Sequence, residues 1–321
     1  MKNVFVIGAG RWGSFIATYL NSVGHKVSLY GRASSERMME LIRTRKNELI
    51  EIGEDIRLTT DISEATSADI IVVSIASQAL SSLMKELAAL SLKDKTLVLC
   101  MKGIEIESGR RLSEIAEAGL DKSCSVAVWL GPGHVQDFTR GRPNCMVIDS
   151  KNDVVKRELV DIFSSNLIRF YYGTDLVGNE IGAAAKNVMG IAAGILDGLG
   201  LSSLKGALMA RGPREISRLA EAMGGSPMSI YGLCHLGDYE ATVFSPYSHN
   251  RAYGESLVTG KEFSGLAEGY YTVRALLLLG ERYGVELPIC SAVYSVVYLG
   301  SSAEEEMKAL FTRSLKYEFD C

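Results

Sequence analysis

The feature that most constrains the fold is a glycine cluster in residues 4–20, VFVIGAGRWGSFIATYL. An apolar, β-branched run precedes the glycines and apolar residues at helical spacing follow them, which predicts a buried strand, a turn and a helix. At such a turn Gly8, Gly10 and Gly13 allow a tight bend, close approach of the backbone to a pyrophosphate, and close packing of helix on strand. The helix N-terminus offers free amides to the phosphates. The pattern alone is weak, and a purely structural turn is the alternative.

The residues after this helix strengthen the nucleotide-binding interpretation. The run HKVSLYGR at residues 25–32 predicts a second buried strand, which completes a β-α-β unit. Where an NAD-preferring site usually has an acidic residue, this chain has Arg32, followed by Ser34, Ser35 and Arg37. A cation and hydroxyls suit a 2′-phosphate, which favours NADP(H) as the cofactor and leaves NAD(H) as the second choice. The alternative is that both arginines are solvated surface charges.

Strands and helices alternate through the first half of the chain. Four further apolar runs predict buried strands, with helical patterns such as SQALSSLMKELAAL between several of them. The four runs are residues 68–76, 95–103, 125–133 and 144–150. This alternation predicts an α/β domain with a doubly wound, mostly parallel Rossmann sheet over residues 1–173. Helical patterns take over from about residue 175, which predicts an all-α domain over residues 174–321.

Composition narrows the classes of partner. The 321 residues carry a net charge of −4 and contain no run of about 20 apolar residues, so we expect neither nucleic-acid binding nor a membrane span. The six cysteines include no C-x-x-C pair and the four histidines show no metal-ligand spacing. We therefore predict a cytoplasmic protein with reduced thiols and no metal site. The sequence leaves monomer and homodimer open.

Lys186 stands out because small residues share its face of the predicted helix. Gly182 and Ala183 precede it by four and three positions, and Gly190 follows it by four. The lysine therefore projects over a nearly bare helical surface. A substrate with a nicotinamide ring is one candidate to fill that space, and a tightly packed neighbouring helix is the other.

Two more groups complete a candidate proton-transfer site. Lys102 lies at the carboxyl end of a predicted strand, where ligands bind in such sheets. Asp238 and Thr242 lie in the polar stretch HLGDYEAT. Reduction of a carbonyl by hydride transfer creates an alkoxide that needs a proton donor, and burial beside a second cation lowers the pKa of a lysine toward neutrality. We predict Lys186 as the donor, Lys102 as the cation that polarises the carbonyl oxygen, and Asp238 as their counter-ion.

Taken in order, the motifs resemble the bacterial type of NAD(P)-dependent sn-glycerol-3-phosphate dehydrogenase over nearly the whole chain. They are GAGRWGS, KGIE, GPG, AAAKNVMGIAAGILDGLG, LGDYEATVFSPYSHNRAYG, AEG and ELPI. The Lys-Asn helix followed by Gly-Asp and a segment similar to Ser-Arg-Asn is far more specific than the glycine motif. The resemblance implies reversible reduction of dihydroxyacetone phosphate, a small phosphorylated substrate, to glycerol 3-phosphate for phospholipid synthesis, in a cleft between the two domains.

Motifs and resemblance together predict individual contacts. The resemblance implies that Lys186 is the catalytic proton donor and acceptor. Cofactor contacts are predicted at Gly8, Gly10, Arg11, Trp12, Gly13, Arg32, Lys102, Val135, Leu266 and Glu268. Substrate contacts are predicted at Lys102, Gly131, Gly133, Lys186, Asn187, Asp238, Thr242, Ser248, His249, Asn250 and Arg251.

This chain departs from the family around the substrate. The usual Gly-Pro-Ser/Thr-Phe-Ala loop reads GPGHV at residues 131–135, which removes a hydroxyl expected to contact substrate. The phosphate-binding Ser-Arg-Asn reads SHN at residues 248–250, and a histidine neither grips phosphate bidentately nor stays charged. The usual Asn after GLG is a serine, and a His-Leu-Pro segment near residue 50 is not recognisable.

Three alternatives for function follow from these departures. Arg251 or His134 takes over the phosphate and the substrate is unchanged, or the pocket accepts another small hydroxy or phospho compound. The third alternative is a non-catalytic regulator that binds NADP(H). The presence of Lys186, Lys102 and Asp238 argues against a regulator, because a sensor has no need of a proton-transfer group.

Overall fold

An eight-stranded sheet forms the first half of the protein. The computed structural model describes residues 1–314 and 317–318, so predictions that concern the other residues, such as a reduced thiol at Cys321, lie outside the described part. The strands are β1 (Asn3–Ile7), β2 (Lys26–Tyr30), β3 (Arg57–Thr59), β4 (Ile70–Val73), β5 (Thr96–Leu99), β6 (Ser125–Leu130), β7 (Asn144–Ser150) and β8 (Ile168–Tyr172). Their order is β3-β2-β1-β4-β5-β6-β7-β8, and β6 pairs with β7 antiparallel while the other neighbours run parallel. The predicted doubly wound, mostly parallel sheet is confirmed.

The two edge strands, β3 and β8, are not predicted from the sequence. β3 has three residues, and β8 alternates between buried Ile168 and Phe170 and the exposed residues between and after them. An edge strand is covered less completely than a central one, so it lacks the continuous apolar run that identifies the buried strands.

Helices cover both faces of the sheet. In β1, Val4 and Val6 belong to one apolar layer and Phe5 and Ile7 to the other, because successive side chains of a strand point to opposite faces. This two-sided burial explains why the first strand reads as an unbroken apolar run. The flanking helices are α1 (Arg11–Ser22), α2 (Glu36–Thr44), α3 (Leu80–Ala89), α4 (Leu112–Gly119), α5 (Val135–Phe138) and α6 (Asp153–Phe163).

The second half of the chain is helical, as predicted. Its α-helices are α7 (Leu176–Gly198), α8 (Lys205–Ala222), α9 (His249–Thr259), α10 (Glu268–Tyr283), α11 (Pro288–Tyr294) and α12 (Ala303–Phe311). The central helix α7 is buried over most of its length and packs against α8, α9 and α10. Among the described residues, none of the helices combines the length and the hydropathy needed to cross a lipid bilayer.

The small residues beside Lys186 are covered by other parts of this chain. A Cβ at Gly182 would lie 3.0 Å from the Cβ of His235, and a Cβ at Gly190 would lie 2.8 Å from Cγ2 of Thr242. The sequence left open whether a ligand or a neighbouring part of the protein covers this helical surface. At Gly182 and Gly190 it is covered by the protein itself. The amine of Lys186 is itself buried and is paired with Asp238 and Thr242.

Candidate active site

The β1–α1 turn has the backbone shape that a dinucleotide requires. Gly8 has φ +122°, which favours glycine, and a Cβ there would overlap the carbonyl of Ser74. A Cβ at Gly13 would overlap the carbonyl of Gly8, so helix and strand pack closely. Gly10 immediately precedes α1, and no protein atom lies within 4 Å of its Cβ position. An opening in front of a helix N-terminus fits a pyrophosphate.

The end of β2 carries the residues predicted to select the cofactor. Arg32 is exposed, and its Nη2 lies 3.3 Å from Oε1 of Glu86 in α3. An exposed ion pair of this kind contributes less than about 1 kcal/mol, so a 2′-phosphate competes with it easily. Ser35 Oγ accepts a hydrogen bond from the backbone N of Met38 and caps α2. Arg37 is exposed on α2.

Lys186, Asp238 and Lys102 meet between the sheet and the helical part. Lys102 follows β5, Lys186 lies in the middle of α7, and Asp238 ends a short 3-10 helix. Asp238 Oδ2 accepts from Lys186 Nζ at 2.8 Å and from Lys102 Nζ at 2.5 Å. Lys186 Nζ also donates to Thr242 Oγ1 at 2.7 Å. The arrangement brings two lysine amines onto one oxygen of Asp238, and the roles predicted for the three residues stay predictions.

Burial changes the acidity of Lys186, which is 8% exposed. Burial lowers its pKa to about 8, with Asp238 opposing the shift and the charge of Lys102 adding to it. An amine with this pKa holds and releases a proton close to neutral pH, which is what general acid–base catalysis requires.

The loop of residues 131–135 borders the two lysines. Lys102 Nζ donates to the carbonyl of Gly131 at 2.8 Å. Gly133 has φ +150°, and a Cβ there would overlap the ring of Phe138. This contact is a physical reason for the missing hydroxyl, because a serine or threonine at residue 133 requires that ring to move. Val135 is buried and begins α5.

The start of α9 contacts an arginine of α1. Ser248 Oγ accepts from the backbone N of Arg251 and caps the helix. Arg11, the first residue of α1, donates from Nη2 to His249 Nε2 at 2.9 Å. The histidine that stands where the family has an arginine thus holds an arginine from the other half of the protein.

The guanidinium of Arg251 lies elsewhere. Its Nη1 lies 2.7 Å from Oδ2 of Asp197, which also accepts from Lys205 Nζ at 2.6 Å. Asp197 is eleven positions after Lys186 in α7, which corresponds to about 16 Å along the helix axis. Arg251 is therefore engaged in an ion-pair network away from the two lysines.

Two asparagines beside Lys186 and His249 in the sequence form a chain of hydrogen bonds through their amides. Asn187 Nδ2 donates to the carbonyl of Lys102 at 3.3 Å, and Asn250 Nδ2 donates to Asn187 Oδ1 at 3.0 Å. Asn250 Oδ1 accepts from the backbone N of Gly269 at 2.9 Å. These bonds tie the segment after β5 to α7, α9 and α10 beside Lys186.

The remaining predicted cofactor residues include Glu268, Leu266 and Trp12. Glu268 Oε2 accepts from Ser77 Oγ at 2.6 Å and its Oε1 accepts from Ser77 N at 3.2 Å, while burial raises the pKa of the carboxyl group. Leu266 is 45% exposed. The ring of Trp12 stacks on Phe15 with 5.3 Å between centroids. Ser77 was not identified from the sequence, where nothing distinguishes it from other serines.

A buried ion pair that the sequence does not reveal joins α4 to α7. Arg111 Nη1 lies 2.6 Å from Oε2 of Glu180, and Ser113 donates to the same carboxylate from its backbone N and its Oγ. Glu180 precedes Lys186 by six positions in α7. The pair therefore anchors α7 to α4, one of the helices that flank the sheet.

A second missed group lies beneath Asp238. The fully buried ring of His235 donates from Nδ1 to the carbonyl of Gly182 at 2.7 Å and accepts at Nε2 from the hydroxyl of Tyr239 at 2.8 Å. Burial lowers the pKa of His235 to about 4, so the ring is neutral. It supports the segment that carries Asp238 without adding charge.

Comparison with known proteins fits this geometry. Two family models, described as the N-terminus and the C-terminus of NAD-dependent glycerol-3-phosphate dehydrogenase, match residues 3–156 and 175–308. The glycerol-3-phosphate dehydrogenase (NAD(P)+) of Prosthecochloris aestuarii is 37% identical over 336 residues, which covers 98% of this chain and 99% of the relative. The chain belongs to the NAD-dependent glycerol-3-phosphate dehydrogenase family.

Other members of the glycerol-3-phosphate dehydrogenase family are similar over their full length. The relative from Thermoanaerobacter sp. strain X514 is 34% identical, with 98% of each chain covered. The crystal structure of glycerol-3-phosphate dehydrogenase from Coxiella burnetii matches with a TM-score of 0.91 at 25% identity, covering 97% of this chain and 99% of that one. The resemblance, the fold class and the class of enzyme, an NAD(P)-dependent oxidoreductase, are confirmed.

Proposed function

We propose that this protein catalyses the reversible reduction of dihydroxyacetone phosphate to sn-glycerol 3-phosphate with NAD(P)H. The observation that carries the proposal is the buried amine of Lys186, with a pKa of about 8, joined through Asp238 to Lys102. Relatives named for glycerol 3-phosphate cover the whole chain and support this substrate.

The proposed mechanism divides the work between the two lysines. When bound, NAD(P)H supplies the hydride that reduces the carbonyl carbon C2. Lys186 donates its proton to the developing alkoxide, and the charge of Lys102 stabilises the negative charge on that oxygen. Asp238 holds the two Nζ atoms close together, because both contact its Oδ2. In the oxidation direction the neutral amine of Lys186 accepts the hydroxyl proton.

The cofactor is proposed to bind at the β1–α1 turn, with NADP(H) favoured over NAD(H). Room at Gly10 and the exposed charge of Arg32 support this site. In an Arg32→Glu variant the KM for NADPH should rise about tenfold more than the KM for NADH, because the charge facing a 2′-phosphate is reversed. Arg43→Glu is the matched surface control, because Arg43 is likewise an exposed arginine that lies 3.3 Å from a glutamate, Glu40. A clear NADH preference in the wild-type enzyme contradicts the proposal.

The substrate phosphate is proposed to bind at the start of α9. The N-terminus of this helix offers backbone amides, and the guanidinium that Arg11 holds on His249 offers a charged fork for phosphate. The ion pair of Arg251 with Asp197 argues against Arg251 as the replacement for the family's arginine.

A second candidate function is the reduction of a related small hydroxy or phospho ketone. It is favoured by Gly133, whose side-chain space is taken by Phe138 where the family has a hydroxyl. The deciding experiment measures turnover of millimolar dihydroxyacetone phosphate and of a panel of other ketones with both cofactors. Turnover of dihydroxyacetone phosphate supports the first function, and turnover of another ketone alone supports the second. NADPH binding without any turnover indicates a regulator.

We also propose where the two domains divide and where in the cell the protein is located, and its oligomeric state can be tested. A division at Gly173 is supported by the end of β8 at Tyr172 and the start of α7 at Leu176. Limited proteolysis tests this boundary. The cytoplasmic location predicted from composition is tested by cell fractionation, and sizing of the purified protein distinguishes monomer from homodimer.

A further inference from the structure

Two buried polar atoms near Lys186 have no hydrogen-bond partner within the described part of the chain. They are Asp238 Oδ1 and His134 Nε2. Asp238 is fully buried and uses only Oδ2 for the two lysines. Leaving a buried polar atom unpaired costs free energy, which a ligand recovers by supplying the missing partner.

His134 lies on the loop that borders the lysines. The loop is fixed at Gly131, whose carbonyl accepts from Lys102, and the His134 ring meets the ring of Tyr247 edge-on at 5.8 Å between centroids. Burial and the nearby charge of Lys186 lower the pKa of His134. The imidazole is therefore neutral near pH 7 and offers one donor and one acceptor nitrogen.

The two unpaired atoms define the group that fits them. The Asp238 carboxylate only accepts hydrogen bonds, so its partner must be a donor. A phosphate dianion and a carbonyl oxygen have no proton to donate, and a dianion is also repelled by the carboxylate. The charge of Asp238 is among those that act on the His134 ring, so the two groups are neighbours. A hydroxyl group can donate to Asp238 Oδ1 and accept from His134 Nε2 in the tautomer that carries its proton on Nε2.

We propose that His134 and Asp238 together bind a free hydroxyl group of the substrate next to the reacting carbonyl, so that the enzyme selects α-hydroxy ketones. The assignment rests on the proposed function, in which this group is the C1 hydroxyl of dihydroxyacetone phosphate. The phosphate then lies on the other side of C2, toward Arg11 and the start of α9.

The test uses a substrate that lacks only this hydroxyl, hydroxyacetone phosphate. Both ketones are assayed with NADPH in the wild-type enzyme and in His134→Phe, which introduces the residue usual in the family. For the variant, kcat/KM with dihydroxyacetone phosphate should fall about tenfold, because one hydrogen bond is lost. The value with hydroxyacetone phosphate should stay within about twofold, because that bond is never made.

Thermal unfolding shows whether His134→Phe is folded. If it is not, two further variants provide the same test. His134→Gln places an amide nitrogen near the position of Nε2 and should retain most of the preference for dihydroxyacetone phosphate. His134→Asn is the shorter matched control and should lose it.

The outcomes separate this assignment from the proposed function. Equal losses with both ketones, or no loss with either, overturn the assignment and leave the function in place; equal losses instead indicate a contact with the phosphate. A wild-type enzyme inactive toward dihydroxyacetone phosphate overturns the function and the assignment with it.

Discussion

Glycines recur in two regions of this molecule, the β1–α1 turn and the helix α7. At Gly10 no protein atom lies within 4 Å of the Cβ position. A Cβ at Gly194 in α7 would overlap the carbonyl of Arg251, and a Cβ at Gly254 in α9 would overlap the carbonyl of Ile191. The turn has open space where the side chain is missing, whereas α7 and α9 use missing side chains to bring two helix backbones together.

The comparison shows how close helix packing supports the candidate site. Because α9 lies directly against α7, Asn250 reaches Asn187 at 3.0 Å, next to Lys186 in the sequence. The glycines of α7 therefore set the position of α9 beside Lys186, whereas the glycines of the turn are proposed to act through the cofactor. Four predictions distinguish these two roles.

The largest effect is expected from Lys186→Met. This variant tests whether the proton-transfer chemistry depends on α7. Loss of the proton donor should lower kcat about 10³-fold in both directions, within the range of general acid–base catalysis. The Kd for NADPH, which depends on the turn, should change little. Steady-state kinetics and cofactor titration check the two parts. A variant that retains more than a tenth of the wild-type kcat removes Lys186 from its proposed role.

The next largest effect is expected from Gly194→Ala, which tests helix packing. The new methyl group overlaps a backbone carbonyl of α9, so the free energy of unfolding should fall by about 3 kcal/mol. Denaturant unfolding measures the change. Gly206→Ala on α8, where nothing lies within 4 Å of the Cβ position, is the matched control. It should be neutral or stabilising by up to about 1 kcal/mol. Equal behaviour of the two variants contradicts the proposed role of the α7 glycines.

The dependence of kcat on pH should reveal the titrating amine of α7. The pKa of Lys186 is lowered to about 8, so the protonated donor is lost as the pH rises through that value. For ketone reduction kcat should therefore fall about tenfold between pH 7 and pH 9, whereas for alcohol oxidation it should rise over the same range. Both profiles are measured at saturating cofactor. Profiles that are flat, or that change in the same direction, exclude this amine as the titrating group.

The smallest effect is expected from Gly10→Ala, which tests the room in the turn. The methyl group meets no protein atom, so the free energy of unfolding should change by less than about 1 kcal/mol. It occupies space proposed for the pyrophosphate, and we expect the KM for NADPH to rise about fivefold with kcat nearly unchanged. An unchanged KM combined with lower stability would show that Gly10 is needed for packing and not for cofactor binding.

Much of the fold follows from local patterns, but the edges of the sheet do not. β1 and β4 are predicted because both faces of a central strand are covered, which leaves an unbroken apolar run. β8 is covered less and alternates, so its pattern is weak. The spacing around Lys186 suggested a space for ligand, but periodicity does not show what covers a helix face. His235 and Thr242 fill it instead.

The sequence by itself determined the glycine turn and the alternation of strands and helices, because these depend on short-range spacing. It also supplied the residue types of the proposed proton-transfer site. Only the tertiary structure decided that one oxygen of Asp238 joins Lys102 and Lys186, and that Arg251 faces Asp197 while Arg11 faces His249. Lys102 and Asp238 are 136 positions apart. Contacts over such a separation depend on how the helical part packs against the sheet, and local periodicity does not specify which of several compatible faces meet.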